Sequence, residues 1–211
     1  MRIPESLVEM GKKRIEGYPV EGFVFGSGPD KPKLMLVGEA PGETEIGNGI
    51  PFSGRAGKEL MEFLEGLGLT REEVYITSAV RSRPYKWREK RNRQGEIEKK
   101  KYNRPPTAAE VAAHAPILDY EIQHVEAPLI VTLGNVGLQR LAGKKMKVSE
   151  VHGQFLNQSV QQLNDQDQYE WSEKKYLLFP TFHPASVFYN PKLRDAVASD
   201  QQKLKEWLAQ Q

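Results

Sequence analysis

The fold class is decided by residues 33–42, which read KLMLVGEAPG. Five mostly apolar residues that end at a glycine indicate a short buried β-strand followed by a turn. Downstream, Arg55–Leu67 carries leucines at helical spacing, and Val74–Thr77 is the next candidate strand. A strand that leads through a turn and a helix into another strand is typical of a parallel sheet covered by helices.

The same alternation continues to the end of the chain. Leu129–Leu133 and Tyr176–Phe179 indicate two further strands, and helices are predicted to begin near Thr107, Val136 and Pro191. We therefore predict an α/β fold with three layers, αβα, around a central and mostly parallel four-stranded sheet. Irregular structure is expected at residues 85–105 and at residues 158–168, the second as a surface turn or loose hairpin.

Length and composition narrow the class of protein. The 211 residues suit a single domain over residues 1–211, and we find no internal repeat. There is no cysteine, which excludes disulfides, thiolate metal sites, iron–sulfur clusters and cysteine nucleophiles and fits a reducing cytoplasm. No apolar run is long enough to span a membrane, and the first residues do not resemble a secretion signal. We expect a cytoplasmic monomer without metal or cofactor.

Positive charge is concentrated in one segment. The net charge of the chain is only +2, but residues 85–105 contain nine Lys or Arg and three Glu and alone carry +6. A basic segment on a nearly neutral body is typical of a protein that binds a polyanion. We predict that this basic insert binds the DNA backbone through Lys99, Lys100 and Lys101, with aromatic residues available for stacking. The alternative is a solvated loop without a partner.

Three segments follow the carboxyl ends of predicted strands and should meet at one edge of the sheet, where such sheets bind ligands. They are GEAPGETE (residues 38–45) with IPFSGRAG (residues 50–57), YITSAVRSRP (residues 75–84) and FPTFHPAS (residues 179–186). Together, in this order and spacing, they resemble the motifs of family 4 uracil-DNA glycosylases over nearly the whole chain. The resemblance implies an enzyme that flips uracil out of DNA and hydrolyses its N-glycosidic bond.

The resemblance also implies roles for individual residues in the first segment. Glu39 and Glu45 become the acidic candidates, which could stabilise positive charge on the sugar and orient a water molecule. For Glu45 the alternatives are anchoring the loop, excluding the 5-methyl group of thymine, or a solvated acid. Phe52 is expected to stack on the flipped base. A pocket for a flipped base requires backbone groups that approach the base closely. We assign this role to Gly38, Ala40, Pro41 and Gly42.

In the last segment, His183 is implied to donate a hydrogen bond to uracil O2 and so stabilise the leaving anion. Ser186 is expected to cap the following turn and contact a phosphate, and Arg55 is a further DNA-binding candidate. Val187 and Phe188 belong to an apolar tip that could enter the duplex as a wedge. The alternative is that this tip packs into the domain.

The sequence departs from the family pattern in two respects. Family 4 proteins carry four cluster-binding cysteines, which would fall near Gly11, Arg14, Ser82 and His114, so that ordinary packing must replace the cluster here. The asparagine that reads uracil aligns with Ser78, whose hydroxyl cannot donate and accept along a base edge as an amide does. Ser78 therefore leaves as an alternative a weak or inactive DNA-binding member of the superfamily, and the fold class alone leaves a nucleotide-binding α/β interaction protein.

Overall fold

A computed structural model describes residues 2–92 and 94–211. The helices in this part of the chain are α1 (Glu5–Arg14), α2 (Glu43–Asn48), α3 (Arg55–Gly66), α4 (Ala108–His124), α5 (Gly134–Ala142), α6 (Val148–Val151), α7 (Ser186–Tyr189) and α8 (Leu193–Leu208). The strands are β1 (Val20–Glu21), β2 (Leu34–Gly38), β3 (Val74–Ser78), β4 (Arg83–Arg91), β5 (Ile97–Asn103), β6 (Ile130–Leu133), β7 (Leu156–Leu163) and β8 (Tyr169–Thr181). None of the described helices is long and apolar enough to cross a bilayer.

The central sheet has the strand order β3-β2-β6-β8-β7, in which the first four strands run parallel. The predicted α/β class and the mostly parallel sheet are confirmed, but the number of strands was wrong, since β7 adds a fifth, antiparallel strand at the edge. Residues 158–168, expected as a turn or loose hairpin, form most of β7 and its connection to β8. Most of β7 is polar, and of its side chains only Val160 is buried, so that its sequence carries no apolar strand pattern.

Apolar side chains cover both faces of the sheet and produce the three layers. One core packs β2, β3, β6 and β8 against α3 and α8, through residues such as Leu36, Leu60 and Leu204. The other packs the opposite face against α4 and α5, through residues such as Val37, Leu118 and Leu138. Because both faces are buried, the strands are almost continuously apolar, which is why the sequence revealed them.

The basic insert is a β-hairpin rather than the irregular loop expected from the sequence. Strands β4 and β5 pair in antiparallel register, and β1 extends them to a second, three-stranded sheet. Most of the hairpin is exposed on both faces, with Trp87 at 57% and Ile97 at 61% on one face and the exposed Arg88 and Lys100 on the other. A strand pair exposed on both faces needs no alternation of apolar and polar residues, so no such pattern marked it.

Ordinary packing occupies the region where a cluster would be expected. The His114 imidazole, fully buried, contacts Glu110 O at 2.8 Å through Nδ1 and Ser82 Oγ at 3.3 Å through Nε2. Arg14 donates from Nε to Ala113 O at 3.1 Å, and a Cβ on Gly11 would lie 2.4 Å from Ile117 Cδ1. Burial lowers the pKa of His114 to about 4, so that the ring is neutral at pH 7.

Candidate active site

A pocket of about 590 Å³ opens at the carboxyl ends of β2, β3 and β8, and the three sequence segments meet there as predicted. Of the residues singled out from the sequence, the pocket is lined by Glu39, Ala40, Pro41, Gly42, Glu45, Phe52, Arg55, Ser78, His183, Ser186 and Phe188. Gly38 lies behind the ring of Phe52, and a Cβ there would be 2.5 Å from Phe52 Cζ. Its lack of a side chain lets the ring lie against the end of β2.

Phe52 is held in a strained backbone conformation beside the pocket. Its φ of 52° falls in the left-handed region that favours glycine. Arg71 Nη1 donates to the Phe52 carbonyl at 3.2 Å, and a Cβ on Gly57 would lie 2.0 Å from that carbonyl oxygen. The ring centroid lies 5.8 Å from that of His183. These contacts hold an aromatic ring at one side of the pocket, where a base could stack on it.

The two acidic candidates have different surroundings. Glu45 is buried and accepts three backbone hydrogen bonds, from Gly42 N at 3.0 Å, Ser53 N at 3.1 Å and Gly54 N at 2.8 Å. The Glu45 carboxylate therefore holds the two ends of the loop together. Of the roles considered for Glu45, this geometry corresponds to anchoring the loop. The carboxyl of Glu39 has no hydrogen-bond or ion-pair partner among the described residues, and burial raises its pKa. Of the two acids, Glu39 is therefore the one whose carboxyl is not engaged in holding the loop.

The His183 imidazole presents a single donor to the pocket. The Ala185 N–H donates to Nδ1 at 3.1 Å, which requires Nδ1 to be unprotonated and assigns the hydrogen of the neutral ring to Nε2. Burial lowers the pKa of His183 to about 4, so the ring is neutral at pH 7. Gly134, at φ 83°, allows this close packing, because a Cβ there would lie 2.9 Å from His183 Cβ.

The hydroxyl hydrogen of Ser78 is already engaged in a hydrogen bond within the protein. Its hydroxyl donates to Val80 O at 2.8 Å, and a carbonyl oxygen can only accept. The side chain is 7% exposed and lines the pocket. A ligand in the pocket therefore meets the Ser78 oxygen as an acceptor.

Comparison with known proteins agrees with this arrangement. The family model described as the uracil DNA glycosylase superfamily matches residues 25–209. The chain belongs to this superfamily. It is 32% identical to a type-4 uracil-DNA glycosylase of Sulfurisphaera tokodaii, over 97% of this chain and 83% of the relative. It is 36% identical to one of Saccharolobus solfataricus, over 88% and 76%, and 32% identical to one of Thermotoga maritima, over 97% and 96%.

In this superfamily member, the apolar tip after His183 is only partly exposed to solvent. Val187 is 5% exposed and packs into the domain, which favours the packing alternative for this residue over a DNA-inserting wedge. Phe188 lines the pocket with Arg55 stacked on its ring at 3.8 Å, and Tyr189 is 89% exposed. Ser186 does not cap α7, since it is the first residue of that helix and the N-cap position is Ala185.

The three lysines assigned to DNA do not form one patch. Residues paired across β4 and β5 share a face, and neighbouring residues alternate. Lys99 and Lys101 therefore lie on one face and Lys100 on the other. Lys101 is also bound to the Glu21 carboxylate and lies 4.2 Å from the ring centroid of Tyr85. Of the three, Lys100 shares its face with Lys86, Arg88 and Lys90, none of which has an ion-pair partner among the described residues.

Two features of the site in this chain were missed from the sequence. Beneath Ser78, the fully buried Arg81 guanidinium is paired with the Glu121 carboxylate, which also accepts from Tyr75 at 3.0 Å and Thr77 at 2.6 Å. The second is a pocket wall from the base of the hairpin, formed by Pro84, Asn103, Arg104 and Pro105. Neither had a sequence signal, because Glu121 is 40 or more positions from Arg81 and Tyr75, and the base of the hairpin is far in sequence from the loops after β2 and β8 with which it lines the pocket.

Proposed function

We propose that the protein is a uracil-DNA glycosylase that binds uracil-containing DNA, flips the uracil into the pocket and hydrolyses its N-glycosidic bond. The observation that carries the proposal is the neutral His183 ring, which lines the pocket and has Nε2–H as its one hydrogen-bond donor. Family membership and the type-4 uracil-DNA glycosylases among its relatives support the same reaction.

The chemistry divides between the base and the sugar. The C1′–N1 bond breaks, and the electron pair leaves on uracil, whose O2 accepts a hydrogen bond from His183. Phe52 stacks on the base, and the Ser78 oxygen accepts from N3–H. The Glu39 carboxylate stabilises positive charge on the sugar and orients the water whose oxygen bonds to C1′, and the proton that this water loses neutralises the departing uracil anion. Glu45 keeps the loop in place and takes no part in proton transfer.

A uracil-excision assay tests the proposal directly. Single-stranded and duplex oligonucleotides with one uracil are incubated with the protein, and abasic-site formation is followed by alkaline strand cleavage. Excision of uracil, with plain DNA left intact, supports the glycosylase. Salt-dependent binding of DNA without excision would instead favour an inactive DNA-binding member, the alternative motivated by Ser78. If the protein did not bind DNA, the remaining alternative would be a nucleotide-binding α/β interaction protein.

We further propose that the protein is a monomer that acts in the cytoplasm.

We also propose that one face of the hairpin binds phosphates beside the flipped nucleotide. This basic face consists of Lys86, Arg88, Lys90 and Lys100, with Tyr102 among them and Glu98 as its one acid in the paired region. The Arg88 guanidinium lies 5.7 Å from the ring centroid of Tyr102. Lys101, which is paired with Glu21, lies on the opposite face of the hairpin. The cations of the basic face are therefore not neutralised by Glu21.

The triple variant Lys86→Gln, Arg88→Gln, Lys100→Gln should bind all DNA sequences more weakly. If each cation neutralises one phosphate, the slope of log K against log salt should become shallower by about 3, since each contact contributes about 0.9. Fluorescence anisotropy at several salt concentrations measures this slope. The matched control is Lys144→Gln, Lys145→Gln, Lys175→Gln, which removes the same charge outside the hairpin. Equal slopes for both triple variants would show that the basic face does not bind DNA.

A further inference from the structure

One side-chain amide at the pocket has no role in the reaction as proposed above. Asn103, the last residue of β5, belongs to the pocket wall from the hairpin. Among the described residues that line the pocket, it is the one that carries an amide. An amide can donate and accept along a base edge, which is the property that Ser78 lacks.

The orientation of this amide is determined by a buried arginine. Arg83, 4% exposed, donates from Nε to Asn103 Oδ1 at 2.6 Å and from Nη1 to Glu21 Oε1 at 2.7 Å. Because a guanidinium only donates, the atom facing Arg83 is the amide oxygen, and Nδ2 faces away from it. Arg83 thus fixes the Asn103 side chain with its donor group free.

The donor group occupies space that a glycine leaves open. Asn103 Nδ2 lies 3.1 Å from the position that a Cβ on Gly42 would take, and both residues line the pocket. A side chain at position 42 would meet the amide and the Glu45 carboxylate, which lies 3.0 Å from the same point. The bare backbone of Gly42 and the amide of Asn103 together form one wall of the pocket.

Uracil presents two carbonyl oxygens with N3–H between them, and each needs a partner once it is removed from water. His183 supplies a donor for one carbonyl, and the Ser78 oxygen can accept from N3–H. The other carbonyl needs a second donor, and the hydroxyl hydrogen of Ser78 is already bound to Val80 O. The Asn103 amide is a preorganised donor that can supply it.

We propose that Asn103 donates a hydrogen bond from Nδ2 to the 4-carbonyl oxygen of the flipped uracil, with Arg83 as its positioning residue. Asn103 is then a specificity-determining residue, contributed by the hairpin rather than by the strand that ends at Ser78. This assignment rests on the proposed glycosylase function.

The test pairs variants at position 103 with a change of one atom in the base. Asn103→Ala removes the amide, and Asn103→Asp keeps the contact with Arg83 but replaces the donor by an acceptor. Each protein is assayed by single turnover on oligonucleotides that contain uracil or 4-thiouracil, whose sulfur is a weaker acceptor than oxygen. For Asn103→Ala we expect about a tenfold loss on uracil and a much smaller loss on 4-thiouracil. Asn103→Asp should lose more on uracil, because its carboxylate faces the carbonyl oxygen.

The control is Asn157→Asp, the same substitution at an exposed site on β7 away from the pocket, which should leave both rates unchanged. Unchanged uracil rates in both Asn103 variants would overturn the proposal. Equal losses on the two substrates would overturn it too, since they would place the contact on the sugar or the phosphate. If the wild-type protein excises neither base, it is the glycosylase function that fails.

Discussion

Replacement of His183 by alanine should lower the rate of uracil excision by about 10²-fold or more. In the proposed mechanism the imidazole is the preorganised donor toward the developing uracil anion, and loss of one such donor typically costs 10²–10³-fold. Because the pKa of His183 is lowered to about 4, the ring donates as a neutral group at every pH above that value. Excision by the wild type should therefore show no loss attributable to His183 as the pH falls from 8 to 5.

Single-turnover excision and duplex binding, measured side by side, check this result. Affinity for plain duplex should change little, since that binding consists mostly of phosphate contacts. The matched control is His124→Ala, which removes an exposed histidine at the end of α4 and should keep the wild-type rate. A His183→Ala variant with wild-type rates would remove His183 from the mechanism.

The second large effect concerns stability. Glu121→Ala should lower the free energy of unfolding by about 3–5 kcal/mol, because it leaves the Arg81 guanidinium buried without its counter-charge. Arg81 and Glu121 are 1% and 0% exposed, so solvent cannot replace the missing carboxylate. Tyr75 and Thr77 lose their acceptor as well. Because Thr77 directly precedes Ser78, the end of β3 at the pocket should loosen too.

Urea denaturation of the variants measures the effect. The double replacement Arg81→Met, Glu121→Leu should be less destabilised than Glu121→Ala, since no charge is left alone in the interior. Glu126→Ala serves as the control, because its ion pair with Lys31 is exposed and contributes little. If Glu121→Ala were no less stable than this control, the buried pair would have no part in holding the end of β3.

How far the sequence predicted the fold depended on burial. Strands β2, β3 and β6 are buried along their whole length, so each appears as an apolar run with nearly the predicted bounds. Strand β7 and the hairpin of β4 and β5 are polar and largely exposed, and their residues carry no such run. Strands β4 and β7 each pair with the next strand along the chain through backbone hydrogen bonds, which the pattern of side chains does not reveal when few of them are buried.

The sequence by itself determined the family, the parallel core of the sheet and the three loops that form the pocket, because each is encoded in contiguous residues. The absence of cysteine excluded an iron–sulfur cluster. Only the tertiary structure separated the anchoring Glu45 from the free Glu39, assigned the proton of His183 to Nε2 and divided the lysines of the hairpin between two faces. It alone brought Asn103 beside Gly42. The physical reason is that a side chain's role depends on its hydrogen-bond partners and strand register, which are set by contacts between residues far apart in the chain.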